Sequence, residues 1–227
     1  MVSDDEQVAR ALHELRGPLG AVRLGVELGL RAGSLCGPRL RSLELELGRA
    51  ALALEDLERA LGCGADRVRR RGGGDATTTE PAPVELRRLL VESVEAWRPV
   101  AGPRGLVLER SAPFAGELWV RGDRLRLAQG VGNLLANAIE HGSGTIRVRL
   151  RRAGSEARVE VGDEGPGLAA PLRDLIRRPG HYGLRVVDEV ALAHRGRLLS
   201  APSERGSRLV LELPLAAAGS AGRLLSG

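Results

Sequence analysis

The sequence predicts an α+β protein built from an N-terminal helical hairpin followed by an α/β sandwich. In the first sixty residues, apolar side chains recur at spacings of three and four, which is the pattern of amphipathic helices. After about residue 84, helical stretches alternate with short segments of period two, as half-buried strands do. Hydrophobic residues make up 43% of the chain and aromatic residues only 2%, so the predicted core consists mainly of Leu, Val and Ala.

The N-terminal part reads as two long helices joined by a short turn. One apolar stripe runs over residues 4–31, a Gly- and Pro-containing turn occupies 33–38, and a second stripe runs over 40–61. One hairpin buries both stripes poorly, whereas two hairpins bury them in a four-helix bundle. We therefore predict a homodimer through residues 4–62. The alternative is a monomeric hairpin packed against the rest of the chain.

The remaining sequence predicts a linker and a mixed domain. Residues 69–83 are charged and then rich in Gly, Thr and Pro, which is typical of a linker. Helices are predicted at 84–97, 124–140 and 182–194, and strands at 106–109, 117–120, 145–152, 157–163, 198–201 and 208–213. The predicted domains are a hairpin at 1–64, a linker at 65–83, an α/β domain at 84–217 and a flexible tail at 218–227.

Composition argues against several classes of partner. The net charge is +5, but every basic residue is arginine, and none forms a run interleaved with aromatic residues. We therefore expect no nucleic-acid binding. No apolar run reaches the 18 residues of a membrane span, and the N-terminus is acidic, so we expect no membrane insertion and a cytoplasmic protein. Cys36 and Cys63 are expected to be free thiols.

Two asparagines lie on one face of the helix predicted at 124–140. Asn133 and Asn137 are four residues apart, and their amide oxygens are hard donors that suit Mg²⁺ and phosphate-bound water. An ordinary pair of surface asparagines is the alternative.

An aspartate and two glycines follow a predicted apolar strand. Asp163 stands at the end of the strand, followed by Gly165 and Gly167. A buried carboxylate there can accept a hydrogen bond from an exocyclic amine such as that of adenine, and the glycines permit close approach of the backbone to a ligand. Taken alone, the same residues also fit an ordinary hairpin turn.

A third motif opens the helix predicted at 182–194. Gly180 and Gly183 flank its start, and a helix N-terminus offers free N–H groups and a positive dipole end to phosphate. The motif therefore predicts phosphate binding at this end of the helix.

Taken in order, these motifs resemble those of bacterial sensor histidine kinases. GDRLRLAQGVGNLLANAIEHG (122–142) is similar to the family's N box, and VGDEGPGL (161–168) to its first glycine box. GHYGLRVVDEVALAHRGRL (180–198) is similar to the second glycine box, and GSRLVLELPL (206–215) to the closing strand. HELRGPL (13–19) stands where the family has its phosphoacceptor box. The resemblance covers nearly the whole chain and implies the Bergerat (GHKL) ATPase fold.

The resemblance implies a set of site residues. The ATP-binding set is Asn133, Asn137, His141, Asp163, Gly165, Gly167, Gly180, Tyr182, Gly183 and Leu184. ATP and Mg²⁺ are the implied cofactors, with Asn137 as the metal ligand. Arg177 and Arg178 in the segment before Gly180 are candidate phosphate contacts.

In the phosphoacceptor box, His13 is the implied nucleophile toward the γ-phosphate of ATP, and Glu14 the implied general base. Arg16 lies one helical turn away from His13 and is a further candidate for phosphate contact. Pro18 is expected to bend the helix just past His13.

The implied function is autophosphorylation on His13 and transfer of the phosphoryl group to an aspartate in the receiver domain of a response regulator. Twelve residues precede His13, which is too few for a sensor domain, so we expect either that a separate protein supplies the signal or that the chain is a trimmed piece. A serine kinase of the anti-sigma-factor type shares the ATP fold but lacks the hairpin. A dimeric scaffold or phosphotransfer protein with a weak ATP site is the other alternative, because the segment between Gly167 and Gly180 is short for the family's lid.

Overall fold

A computed structural model of the protein describes residues 82–110, 117–178 and 180–216, together with Gly48, Ala50 and Leu52. The described domain mixes helices with strands, as expected. The strands are β1 (Ala82–Glu85), β2 (Val107–Arg110), β3 (Trp119–Gly122), β4 (Thr145–Ala153), β5 (Glu156–Gly162), β6 (Arg197–Ser200) and β7 (Arg208–Pro214). The helices are α1 (Leu86–Ala101), α2 (Arg124–His141), α3 (Leu172–Arg177) and α4 (Tyr182–Ala193). The hairpin and dimer predicted at 4–62 fall outside the described residues.

Five strands form the main sheet, in the order β2-β4-β5-β7-β6. β2 is parallel to β4, and every other neighbouring pair in this sheet is antiparallel. β1 and β3 form a separate antiparallel pair. The long strands β4, β5 and β7 form the centre of the sheet and present their ends to the loops that carry the sequence motifs.

The helices cover one face of the main sheet, and the core lies between the two layers. Because side chains alternate along a strand, every second residue of the central strands points into this layer. The inward residues of these strands are Ile146, Val148, Leu150, Ala157, Val159, Val161, Leu209, Leu211 and Leu213, all of them buried. On the helix side, α2 contributes Leu127, Leu134 and Leu135, which are also fully buried.

The start of α2 is fixed by hydrogen bonds within the chain. The Asp123 side chain accepts from the backbone N–H groups of Leu125 and Arg126 at 2.8 and 3.1 Å, which is a standard N-cap. The backbone N–H of Asp123 in turn donates to His194 Nε2 at 3.0 Å. His194 Nδ1 lies 2.7 Å from the carbonyl oxygen of Val190, so the two ring nitrogens contact α4 and the start of α2. The beginning of α2 is thereby tied to the end of α4.

The outer face of the main sheet carries paired charges. The side chain of Glu212 is only 3% exposed and accepts hydrogen bonds from Arg158 at 2.5 Å and from Arg197 at 2.6 Å. Burial alone raises the pKa of Glu212, but the hydrogen bonds and positive charges of the two arginines outweigh it and lower that pKa below its usual value. This carboxylate therefore stays ionised within the sheet.

Two local features differ from the sequence prediction. The helix predicted from residue 84 begins at Leu86, because Val84 and Glu85 pair with Val120 and Trp119 in β1 and β3. This strand also takes in Ala82 and Pro83, which were assigned to the linker. Tertiary strand pairing here overrides a local helical pattern.

The second difference is α3. The sequence predicts no helix between Gly167 and Gly180, yet residues 172–177 form a short helix of about one and a half turns. Leu172 and Leu175, three residues apart, are both buried, and α3 packs on α4. Burial of these two leucines accounts for the helix.

Candidate nucleotide site

A cavity of about 110 Å³ lies where the second half of α2 meets the start of α4. Its lining consists of Asn133, Ala136, Asn137, Glu140, His141, Gly180, His181, Gly183 and Leu184. Six of the ten residues predicted for ATP binding are therefore brought to one cavity, although β4, β5 and α3 separate α2 from α4 in the sequence.

The two helices approach each other closely above this cavity. Gly130 of α2 faces Val190 of α4, and a Cβ atom at Gly130 would lie only 3.2 Å from Val190 Cγ1. The absence of a side chain at residue 130 thus sets the spacing of the helices. One turn further along α2, this spacing brings Asn133 to the start of α4.

Asn133 carries a buried polar atom that has no partner. The residue is 7% exposed, and its Nδ2 atom makes no hydrogen bond with any of the described residues. Buried amide groups are almost always satisfied, and an orphan is costly unless a ligand completes it. The oxygen and nitrogen of an asparagine amide are assigned from their partners, so either atom of Asn133 can face a ligand in the cavity.

Gly183 leaves space beside this amide. A Cβ atom at residue 183 would lie 3.9 Å from the Cβ, Cγ and Oδ1 atoms of Asn133, which is an ordinary contact distance. Packing within the protein therefore does not require glycine there, and its absent side chain widens the cavity instead. Gly180 differs, because its φ of +89° lies in the left-handed region that favours glycine.

The start of α4 has no side-chain cap. His181 occupies the N-cap position, and no side-chain hydrogen bond is made there. The first N–H groups of this 12-residue helix, those of Tyr182, Gly183 and Leu184, have no carbonyl partner within the helix, and Gly183 and Leu184 line the cavity. Such N–H groups and the positive end of the helix dipole together favour an anionic ligand.

Asp163 lies beside the cavity but does not line it. It is 7% exposed; its Oδ1 accepts from the Gly165 N–H at 2.7 Å, and its Oδ2 accepts from the Ser207 hydroxyl at 2.6 Å. Gly165 packs tightly on the end of α2, since a Cβ there would lie 2.9 Å from Gly142 Cα and 3.0 Å from the His141 carbonyl oxygen. This loop thus follows directly on the cavity wall formed by His141.

Gly167 and Ser207 complete the surroundings of this loop. Gly167 has a φ of +83°, so glycine is required for its backbone conformation. Ser207, which the sequence reading missed, is 44 residues away from Asp163 in the chain and orients its carboxylate. The only signal for Ser207 was a hydroxyl residue immediately before the closing strand β7.

Tyr182 and two of the predicted phosphate-contact arginines, Arg177 and Arg178, lie where the chain passes from α3 to α4. The Arg185 guanidinium carbon is 5.7 Å from the centroid of the Tyr182 ring, and Arg185 Nε donates to the Ile176 carbonyl oxygen at 3.3 Å. Arg185 thereby links α4 to α3. Arg177 and Arg178 are exposed at the end of α3 and do not line the cavity.

The donor set of the cavity fits a magnesium ion carried by a nucleotide. The part of the chain that the structure describes contains no group of three or more His, Cys, Asp or Glu side chains that could hold a metal. Mg²⁺ is commonly bound through one or two protein oxygens together with substrate phosphates and water. The Asn137 amide oxygen in the cavity wall suits this role.

Three predicted residues cannot be placed beside the cavity. His13, Glu14 and Arg16 fall outside the described residues. Among the helices that are described, none is long and apolar enough to cross a membrane.

Residues 122–217 match the family described as histidine kinase-, DNA gyrase B-, and HSP90-like ATPases. This match implies that the domain uses a nucleotide. The probable sensor histidine kinase TcrY of Mycobacterium tuberculosis is 32% identical, over 92% of this chain and 45% of that protein. The histidine-protein kinase/phosphatase MprB of Mycolicibacterium smegmatis is also 32% identical, over 84% of this chain and 40% of that protein.

Solved structures agree with this assignment. The mycobacterial sensor histidine kinase MprB aligns with a TM-score of 0.51 and 26% identity, covering 60% of this chain and 97% of that one. The histidine kinase AdeS of Acinetobacter baumannii shares the fold, with a TM-score of 0.54 and 20% identity over 90% of this chain and 98% of that one. This chain spans less than half the length of the curated relatives named above. It belongs to the bacterial two-component sensor histidine kinases, and residues 122–217 are its GHKL ATPase domain.

Proposed function

We propose that the protein is an ATP-dependent histidine kinase that autophosphorylates on His13 and passes the phosphoryl group to an aspartate of a response-regulator receiver domain. The observation that carries this proposal is the cavity in which the unpartnered amide of Asn133 faces the uncapped start of α4. An unpartnered buried amide and an uncapped helix start are both costly for a protein without a ligand. A nucleoside triphosphate offers hydrogen-bond partners to both.

In this proposal the phosphates lie against the first N–H groups of α4, contributed by Tyr182, Gly183 and Leu184. The adenine amine donates to Asp163, whose Oδ2 has room for a second hydrogen bond beside that from Ser207. The glycines at 165, 167 and 180 keep the backbone close to the ligand. Arg177 and Arg178 lie at the end of α3, from which long side chains reach over the phosphates.

Asn133 and Asn137 hold the polar side of the nucleotide in this arrangement, with His141 at the phosphate end. The Asn137 oxygen holds Mg²⁺, which when bound neutralises charge on the phosphate oxygens. The protein's own contribution is to orient the triphosphate and to exclude water around it.

The chemical step takes place at His13. A lone pair of the imidazole forms a bond to the γ-phosphorus while the bond between that phosphorus and the β,γ-bridging oxygen breaks, and ADP leaves. Glu14 accepts the proton from the other ring nitrogen, so the phosphohistidine carries no extra charge. Arg16, one turn away, pairs with the oxygens of the transferred group. The receiver aspartate then takes the phosphoryl group from His13.

The assembly that we propose is a homodimer through residues 4–62, in which a four-helix bundle presents His13 to the ATPase domain and to the receiver. The domain division at 1–64, 65–83, 84–217 and 218–227 belongs to the same proposal. The reaction takes place in the cytoplasm, where ATP and the receiver are available.

Incubation with γ-labelled ATP and Mg²⁺ tests the proposal. We expect label that survives alkali and is lost in acid, as phosphohistidine is. His13→Gln should abolish this label while leaving nucleotide affinity unchanged, and Asn137→Ala should abolish both label and Mg²⁺-dependent affinity. Persistent label in His13→Gln would remove His13 from its role. Absence of label from folded wild-type protein would favour the scaffold alternative.

A further inference from the structure

A second small cavity lies on the outer face of the main sheet, on the side away from the helices. It has a volume of about 90 Å³ and is lined by Arg147, Arg149, Glu160, Gly162, Asp163, Ser203 and Arg208. Three of its seven lining residues are arginines, contributed by two different strands. We call this cavity the arginine notch.

Strand register explains the shape of the arginine notch. Gly162 of β5 pairs with Arg147 of β4 on one side and with Arg208 of β7 on the other. Neighbouring strands are about 4.8 Å apart, so the two arginine Cα atoms flank the glycine at a total separation of about 10 Å. The missing side chain at Gly162 leaves the backbone as the floor between two guanidinium groups.

Packing does not demand glycine at this floor. A Cβ atom at Gly162 would lie 3.4 Å from the Ser207 carbonyl oxygen and 3.7 Å from Arg208 Cγ, which are ordinary contacts, and the φ of Gly162 is not positive. Glycine inside a strand weakens it relative to residues with side chains. The residue therefore keeps space open at a small cost in stability.

Two of the three arginines of the notch, Arg147 and Arg149, have partners within the protein, whereas Arg208 has none among the described residues. The Arg208 side chain makes no hydrogen bond or ion pair with any residue that the structure describes, and the Arg147 side chain pairs with Glu164 at 2.8 Å while 44% exposed. Both lining carboxylates are engaged: Glu160 pairs with Arg151, and Asp163 accepts from Ser207 and Gly165.

We propose that the arginine notch binds an oxyanion of the phosphate class, either inorganic phosphate or the phosphate group of a monoester. Guanidinium groups donate pairs of parallel N–H bonds to tetrahedral oxyanions, and two such groups on opposite sides of a glycine floor fit one anion between them. Asp163 borders both the notch and the proposed adenine position, but the two arginines proposed to hold the anion, Arg147 and Arg208, do not line the cavity between α2 and α4.

Titration of the ¹⁵N-labelled protein with inorganic phosphate at constant ionic strength tests the proposal. The amide signal of Gly162 reports the notch, and that of Gly183 reports the nucleotide site, so the two binding events are told apart. We expect a saturable shift at Gly162. Arg208→Gln should weaken the binding seen there at least tenfold. Arg87→Gln, which removes the same charge from an exposed position on α1, should leave it unchanged.

Gly162→Ala is a second variant for the phosphate titration. It should weaken phosphate binding at least threefold by raising the floor of the notch, while the melting temperature stays equal or rises. Glycerol phosphate in place of inorganic phosphate then tells whether the notch accepts a monoester or only the free ion, and either result fits the proposal. The proposal is overturned by a shift at Gly162 that does not saturate, or by an equal weakening of binding in Arg87→Gln. It is also overturned if acetate binds as tightly as phosphate, which would indicate that the notch binds carboxylate side chains of another protein instead.

Discussion

The starts of α2 and α4 solve the same physical problem in opposite ways. Each helix begins with N–H groups that have no partner within the helix. At α2, Asp123 caps two of them and is itself held by His194. At α4, the N-cap residue His181 makes no side-chain cap, and the unpartnered amide of Asn133 lies across the same cavity.

This difference separates residues that stabilise the fold from residues that await a ligand. Polar groups that are satisfied within the chain contribute to the free energy of unfolding. Buried polar groups left unsatisfied lower that free energy and are available to a nucleotide. Removing the cap of α2 should therefore lower stability with little change in nucleotide affinity, whereas adding a cap to α4 should raise stability and lower nucleotide affinity.

The largest effect is expected from giving α4 the cap that α2 already has. His181→Asp should lower affinity for Mg²⁺-ATP at least tenfold, because its carboxylate occupies the N–H groups and repels the phosphates. The same substitution should raise the free energy of unfolding by about 1 kcal/mol. Calorimetric titration and denaturant unfolding measure the two quantities. His181→Asn, a cap without charge, should show the gain in stability with a smaller loss of affinity. Unchanged nucleotide affinity in both variants would contradict the idea that the start of α4 is left uncapped for the nucleotide.

Removing the cap of α2 should have the converse result. Asp123→Ala is expected to lower the free energy of unfolding by about 1 kcal/mol and to leave nucleotide affinity within twofold of wild type. Asp123→Asn, which retains a capping oxygen, is the matched control. It should lower the free energy of unfolding by only about a few tenths of a kcal/mol. If Asp123→Ala weakened nucleotide binding as strongly as His181→Asp, the two helix starts would not be distinct in function.

A smaller effect is expected at Glu212, another group that is satisfied within the chain. Its pKa is lower in the folded protein than the usual value of 4.5, so its contribution to stability is present above about pH 4.5 and is lost as the pH falls through the folded pKa. Glu212→Gln should flatten the fall in stability at acid pH and cost less than about 1 kcal/mol at pH 7, since both arginine partners are partly exposed. Denaturant unfolding at pH 7 and at pH 3.5 measures this, with nucleotide affinity at pH 7 expected to remain unchanged. An identical pH dependence in the variant would count against the pairing.

The sequence predicted best those elements whose patterns are local and long. The helix over 124–140 and the strands β4 and β5 are confirmed to within one or two residues, because their apolar periods continue over at least seven residues. β1 was missed because its pairing with β3 depends on residues more than 30 positions away. The helix α3 was missed because one buried pair of leucines is too short a pattern to recognise.

The same distinction holds in the candidate site. Asn133, Asn137 and the glycines before α4 were found because each group forms a compact motif in the sequence. Ser207 and the contact of Arg185 with Ile176 were not predicted, since the hydrogen bond of Ser207 to Asp163 and that of Arg185 to Ile176 are set by packing between separate elements. The sequence alone does not show that the Asn133 amide lacks a partner, because that requires the positions of all its neighbours.

The most direct test of the account is calorimetric titration of wild type and Asn133→Ala with a non-hydrolysable ATP analogue and Mg²⁺, beside denaturant unfolding of both. We expect the substitution to weaken nucleotide affinity at least tenfold. We also expect the free energy of unfolding to stay unchanged or to rise slightly, since an unsatisfied buried amide is removed. Equal affinity in the two proteins, or a loss of stability in place of a loss of affinity, would contradict it.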